Sequence, residues 1–198
     1  MKSRKDLESE FRRISAADVL GRDIEWYESL ESTNIRAKEL AAEKTSEGTI
    51  VVADEQTAGR GRLGRDWFSP EAQGLWFSVV LYPTQSMAEV PPMTIMVAKA
   101  VKDFLNKQFQ IKATIKEPND LLIKGKKVCG ILAEASTKAG ADLVDFVVIG
   151  IGLNLKATFP EELAKTATSV ADHAKDALPP RTQLLAKLVE AIEERYLI

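Results

Sequence analysis

Three glycines and three arginines fall within seven residues at Gly59-Arg60-Gly61-Arg62-Leu63-Gly64-Arg65, directly after Glu55-Gln56-Thr57-Ala58 and just before Asp66-Trp67. Glycine lets backbone N–H groups come close to a ligand. Arginine adds permanent positive charge and a planar fork of donors suited to phosphate or carboxylate. The chemistry implied is the holding, and the covering, of something anionic. Three more polar clusters accompany the loop: Ser32-Thr33-Asn34, Lys116-Glu117-Pro118-Asn119-Asp120 and Gly150-Ile151-Gly152-Leu153-Asn154. Each has a plainer reading. A Ser-Thr-Asn triplet is usually a helix cap, a Gly-x-Gly-x-Asn after a strand is usually a tight turn, and a lysine before Glu-Pro-Asn-Asp can be a solvated charge at a proline turn. The Gly/Arg tract could be a disordered segment or a nucleic-acid patch, but it is short, unrepeated and flanked by strands.

The elements that must position these clusters follow from local pattern. Residues 3–14 read as a short polar helix with Ser3 as N-cap. Ile24 to Leu30 reads as a first strand, after which Ser32 or Thr33 caps a helix running to about Lys44. Thr49 to Asp54 is a β-branched strand, and Leu75 to Tyr82 a buried strand ended by Pro83. Pro91 and Pro92 open a helix to about Gln108, with Val97, Ala100, Val101, Phe104 and Leu105 at helical spacing. Ile111, Ala113 and Ile115 alternate with Lys112, Thr114 and Lys116, which predicts a half-buried strand. A hairpin follows, Leu121–Ile123 and Val128–Glu134 about a turn at Lys124-Gly125-Lys126; a strand spans Leu143 to Gly150 toward Asn154. The last helix, about Arg181 to Tyr196, buries Leu185, Leu188, Val189 and Ile192. Hairpin-joined strands with interspersed helices predict an α+β fold with a mixed, largely antiparallel sheet flanked by helices.

Composition narrows the function classes. The chain has 198 residues, 45% of them hydrophobic and 28% charged, as in an ordinary soluble globular protein. Its formal net charge is −2 and its sequence pI about 5.6, so the arginine loop is a local positive site on a mildly acidic body. A non-specific nucleic-acid binder is usually basic and interleaves aromatics among its cations. The single cysteine, Cys129, allows no intramolecular disulfide and reads as a core residue. No signal segment and no apolar run of membrane-spanning length is evident, so a cytoplasmic location without membrane partners is expected.

In series, the clusters resemble the catalytic domain of biotin protein ligases. The resemblance rests on Glu55 to Pro70 (EQTAGRGRLGRDWFSP), on Glu31-Ser32-Thr33-Asn34, on Lys116 with Pro118-Asn119-Asp120, on Gly125 to Glu134 (GKKVCGILAE) and on Gly150 to Asn154, in order and spacing over roughly residues 21–197. It implies a class II aminoacyl-tRNA synthetase or biotin synthetase-like fold and a two-step reaction. Biotin and ATP, with Mg2+, give biotinyl-adenylate; the biotinyl group then passes to a lysine of a biotin carboxyl carrier protein domain. Carried over by position, Ser32, Thr33, Asn34 and Gln56 correspond to the biotin head-group contacts, and Arg60, Gly61 and Arg62 to the loop over biotin and phosphates. Lys116, Arg62 and Arg60 become the catalytic group, with Lys116 also touching biotin. Arg65, Trp67, Asn119, Gly152 and Asn154 join Arg62 in holding the nucleotide, with Trp67 against adenine. The metal ligands are not identified.

This chain departs from the family pattern at Glu117, where tryptophan is usual. If Lys116 faces the ligand, alternation puts position 117 on the face of Ile111, Ala113 and Ile115. Residues 1–20 are expected to be an N-terminal helical extension to a 21–198 catalytic domain, too short for the DNA-binding domain of some relatives, so no DNA partner is expected. The C-terminal SH3-like domain of relatives is expected to be absent or truncated, and relatives imply a monomer or homodimer. Two other readings stay open: a lipoyl- or octanoyl-protein ligase of related fold, and a non-catalytic biotin-binding module.

Overall fold

The computed structural model describes residues 3–83, 88, 90–137 and 143–197. A seven-stranded sheet carries the molecule, in the spatial order β1-β2-β3-β7-β6-β5-β4. The strands are β1 (Ile24–Leu30), β2 (Ile50–Gln56), β3 (Gly74–Leu81), β4 (Thr114–Lys116), β5 (Asp120–Ile123), β6 (Lys126–Thr137) and β7 (Val144–Asn154). All pairs are antiparallel except β1 with β2, which run parallel. Parallel neighbours need a crossover, and the helix α2 (Thr33–Ala42) supplies it.

The two faces of the sheet are covered unequally. On one lie α1 (Arg4–Ile14), α3 (Val90–Phe109) and α5 (Arg181–Tyr196), packing Phe11, Val97, Val101, Phe104, Leu185, Leu188 and Ile192 against Trp26, Val52, Phe77 and Ile149. On the other, α2 alone packs Ala37, Leu40 and Ala41 against Val51, Val80, Phe146 and Val148. Every residue of β3 is buried, which is why its sequence reads as a continuous apolar run. The one polar member, Ser78, lies on the α2 side beyond the helix's first turn.

Capping explains α1: Ser3 and Asp6 form a reciprocal capping box. Phe11 is fully buried in the main core, against Gly21, where a Cβ would come within 2.7 Å of its ring. Glu193 of α5 fastens the connecting segment, accepting the N–H groups of Asp18 (2.6 Å), Val19 (2.8 Å) and Leu20 (2.6 Å). Three donors on one carboxylate satisfy a charge that burial would otherwise penalise. α1 also attends the outer edge of β1: Glu8 accepts the Trp26 N–H at 3.0 Å and Arg4 donates to the Trp26 carbonyl.

Three sequence readings are corrected. Ile111 and Ala113 are buried as predicted, but they precede the ladder, and β4 begins only at Thr114. Glu117 does not share their face: the chain has turned by then and the residue is exposed. Ser32 does occupy the N-cap position of α2, yet its side chain makes no capping hydrogen bond. The hairpin turn of β5 and β6 has positive φ at both Lys124 (49°) and Gly125 (80°), the two-residue geometry that suits strand twist. Among the described residues no helix is long and apolar enough to cross a membrane.

Candidate active site

The part of the sheet that α2 leaves open is floored by small residues. Gly150 of β7 lies between Ser78 of β3 and Leu132 of β6, and Gly152 between Trp76 and Gly130. The missing side chains are functional space. A Cβ on Gly150 would stand 2.1 Å from Asn34 Oδ1, and one on Gly152 2.3 Å from Trp67 Nε1. So Asn34 at the start of α2, and Trp67 from the arginine loop, rest directly on the sheet. Between and above them is a narrow cleft of about 50 Å3, lined by Thr33, Asn34, Gln56, Arg62, Trp67 and Lys127.

One end of the cleft is a buried polar network. Gln56 Oε1 accepts from the Thr33 N–H (2.9 Å) and lies 3.1 Å from Thr33 Oγ1, while Gln56 Nε2 donates to Ser69 Oγ at 2.8 Å. The Ser78 hydroxyl sits 2.7 Å from Thr33 Oγ1 and 2.6 Å from Asn34 Oδ1. Asn34 Nδ2 donates to Glu134 Oε2 at 2.8 Å, and Lys38 Nζ to Glu134 Oε1 at 2.7 Å. Burial pushes the Glu134 carboxyl up, but its hydrogen bonds from Lys38 and Asn34, with the charges of Lys38 and Arg60, outweigh this and hold it below the usual carboxylate range. Ser32 also lines this end.

The other end is cationic. The loop between β2 and β3 folds on itself, with Trp67 N–H on Gly59 O (2.8 Å), Gly61 N–H on Arg65 O (2.7 Å) and an antiparallel backbone pairing of Arg60 with Asp66. Its tip has positive φ at Leu63 (58°) and Gly64 (72°), and the Leu63 side chain is 88% exposed. Arg60 and Arg62 reach the cleft; each has one long contact, 3.4 Å to Glu31 and 3.4 Å to Asn119 respectively. Asn119 is pinned to β6 by exchanging hydrogen bonds with Ile131 (2.9 and 3.0 Å).

The lysine at this end is Lys127. Its Nζ pairs with Asp120 Oδ1 at 2.7 Å and stands 4.9 Å from the centre of the Trp67 ring. Lys116, to which the resemblance gave this place, lies outside the cleft, exposed at the end of edge strand β4. The turn after Lys116 folds back onto β6 and delivers Asn119 to the cleft instead. Lys116 lines an adjoining hollow with Arg65 and Asn154, likewise absent from the main cleft; the two cavities share Trp67 and Lys127. Asn154 is 2% exposed and its Nδ2 donates to Thr168 O at 3.0 Å, while its Oδ1 is buried without a partner. Ser32, Thr33, Asn34, Gln56, Arg60, Gly61, Arg62, Trp67, Asn119 and Gly152 all line the main cleft.

Strand alternation hid Lys127, which sits at odd spacing from Gly130, Leu132 and Glu134. A bulge resolves the conflict: Leu121 faces Cys129 and Leu122 faces Lys127, leaving Val128 as the extra residue and turning Lys127 onto the cleft. Ser78 and Glu134 were missed for a different reason. A serine within an apolar strand was a legible signal for Ser78, whereas nothing local marks Glu134. Cys129 is fully buried, and burial pushes its thiol well above the ordinary range, as for an inert core residue. Among the described residues no three His, Cys, Asp or Glu side chains gather as a metal site.

Comparison with known proteins agrees with this geometry. The profile of the Biotin/lipoate A/B protein ligase family matches residues 26–154, more than half of the chain. The chain belongs to that family. It is 40% identical over 192 residues to the Bifunctional ligase/repressor BirA of Bacillus subtilis, covering 96% of this chain and 58% of that protein. It is 33% identical over 158 residues to the Biotin--[acetyl-CoA-carboxylase] ligase of Mycobacterium tuberculosis, covering 76% of this chain and 55% of that one. The chain thus spans somewhat over half the length of these relatives. Its fold matches the biotin protein ligase of Aquifex aeolicus solved with biotin and ATP, with a TM-score of 0.75 and 33% identity over 88% of this chain and 70% of that structure. The α+β, class II synthetase-like architecture expected from sequence is the one observed.

Proposed function

We propose that this chain activates biotin with ATP to biotinyl-5′-adenylate and passes the biotinyl group to a lysine of a biotin carboxyl carrier protein. The observation that carries the reading is a single cleft with a buried neutral hydrogen-bonding end, formed by Ser32, Thr33, Asn34 and Gln56, and a cationic end, formed by Arg60, Arg62 and Lys127. A ureido head group suits the first and a carboxylate beside phosphates suits the second. The glycine floor between them admits an aliphatic chain.

In the first step a biotin carboxylate oxygen attacks the α-phosphorus of ATP, a P–O bond forms, and the bond to pyrophosphate breaks. Two anions must meet. Arg60, Arg62 and Lys127 offset that repulsion and stabilise the charge that develops in the transition state. Lys127 therefore takes the role that sequence gave to Lys116. Trp67, held on Gly152 beside Lys127, offers its outer face to the adenine, and the adjoining hollow with Arg65, Lys116 and Asn154 offers room for the rest of the nucleotide. Asn119 steadies Arg62. In the second step a neutral lysine amine attacks the acyl carbon, AMP leaves, and the amine loses its proton. Magnesium binds chiefly through substrate phosphates and water in such sites. The described residues form no dedicated cluster for it, and no step here is drawn through it.

The test is direct. With biotin, ATP and Mg2+ the protein is expected to release pyrophosphate and form biotinyl-adenylate, and to label a biotin carrier domain. Adenylate formation from lipoate but not from biotin would overturn the substrate assignment, and formation from neither would overturn the reading.

A further inference from the structure

We propose that Glu134 is a positioning residue that sets the hydrogen-bonding polarity of the head-group end, making the Thr33 hydroxyl an obligate acceptor and so selecting a head group that carries N–H donors. The inference rests on the biotin reading above and goes beyond it. Glu134 lies on β6, reaches the cleft only through other side chains, and is held by Lys38 at 2.7 Å.

The polarity follows from counting protons. A carboxylate only accepts, so the Asn34 atom 2.8 Å from Glu134 Oε2 is the amide nitrogen. That orients the Asn34 amide and places its oxygen 2.6 Å from Ser78 Oγ. The amide oxygen has no proton, so Ser78 must donate its single proton there. Ser78 then has none left for Thr33 Oγ1, 2.7 Å away. The Thr33 proton has two takers, Ser78 Oγ at 2.7 Å and Gln56 Oε1 at 3.1 Å. With either, no Thr33 proton is left for a ligand, and the oxygen meets the cleft with lone pairs alone. A cyclic urea brings N–H groups to such an oxygen, whereas a dithiolane brings none and would leave it unpaired. Sites built around a polar partner reject ligands that lack it far more strongly than they reject a change of size. If Glu134 is removed, the Asn34 amide nitrogen keeps only a long contact to the Leu132 carbonyl at 3.4 Å, and the sense of the Ser78 and Thr33 hydroxyls is held far less firmly.

The experiment compares wild type, Glu134→Ala and Glu134→Gln in biotin titration and in adenylation kinetics. Glu134→Ala is expected to raise the biotin Kd and KM about tenfold, leaving the ATP KM and kcat within about twofold. Glu134→Gln can still present an acceptor to Asn34 and is expected to recover most of the affinity. Asn34→Ala should weaken biotin binding, and adding Glu134→Ala to it should cost nothing further, because Glu134 acts through Asn34; this cycle also serves if the single alanine variant folds poorly. Unchanged biotin affinity in Glu134→Ala, equal losses for ATP and biotin, or additive losses in the double variant would each overturn the proposal. Wild-type protein that binds no biotin would overturn the functional reading itself, a result distinct from these.

Discussion

The two ends of the cleft are built on opposite terms. At one end Thr33, Asn34 and Ser78 are buried, Gln56 and Glu134 half-buried, and the contacts among them lie between 2.6 and 3.1 Å. At the cationic end Arg60 and Arg62 sit on an exposed loop, each with one contact at 3.4 Å. Exposed pairs of that kind contribute about 0–1 kcal/mol. On the proposed reading, the neutral part of the ligand would meet groups already in place, and its anionic part would meet charges that can still move. Preorganisation at one end lowers the entropy of recognition; slack at the other lets a loop close once phosphate is present.

The comparison is broken first at its one fixed cation. Lys127→Ala is expected to cut adenylation by about 100–1,000-fold, the usual loss for a transition-state donor, with biotin affinity little changed. Lys116→Ala should cost less than about tenfold, acting only through ATP; single-turnover kinetics separate the two. Equal losses would return the central role to β4. Next is the floor. Gly150→Ala puts a Cβ 2.1 Å from Asn34 Oδ1, and overpacking of this kind costs about 1–3 kcal/mol. Biotin Kd should rise and Tm fall, whereas a change at Gly152 should act on the nucleotide through Trp67.

The loop end is sharpened by hydrogen exchange over residues 59–65, which should slow when biotin and ATP are both bound. Equal protection with and without ligand would leave the site in place and overturn closure of the loop. A smaller effect concerns pH. Glu134 has its carboxyl held below the usual value of about 4.3, so its stabilising contribution is complete above that pH and fades as pH falls through the lower, folded value. Biotin affinity should decline on that acid side, and Glu134→Gln should flatten the decline. Smallest of all, Glu117→Trp alters an exposed turn residue and should shift stability by no more than about 0.5 kcal/mol, read as Tm, with turnover unchanged.

Most of the architecture was legible because each element carries its own local signal. Strand β1 and helix α5 match the expected limits residue for residue, one bounded by Gly21 and Asp23 before it, the other opened by Pro179 and Pro180. The parallel pairing of β1 with β2 was not legible, since no local pattern distinguishes a crossover helix from one that simply packs. That Ser32, Thr33, Asn34 and Gln56 meet at one cleft was legible only from the clusters taken as a series. Ser32-Thr33-Asn34 looked like an ordinary cap, and only the structure shows that Ser32 makes no capping bond while Thr33 and Asn34 turn inward. Lys127 was lost because a one-residue bulge reverses the facing rule on which strand reading depends. Glu134 gives no local signal because its partner in the cleft wall, Asn34, lies a hundred residues earlier in the chain.

The pairing of α1 with Trp26 has a consequence for the molecule's company. An outer strand normally offers its backbone to any other extended chain. At Trp26 of β1 that offer is already taken: Glu8 and Arg4, one helical turn apart, stand where an eighth strand's carbonyl and amide would dock. A stray strand can join there only by displacing two charged side chains and lifting a helix whose Phe11 is anchored in the core. The short amino-terminal helix therefore works as a guard rail, closing one border of the sheet to self-templated growth.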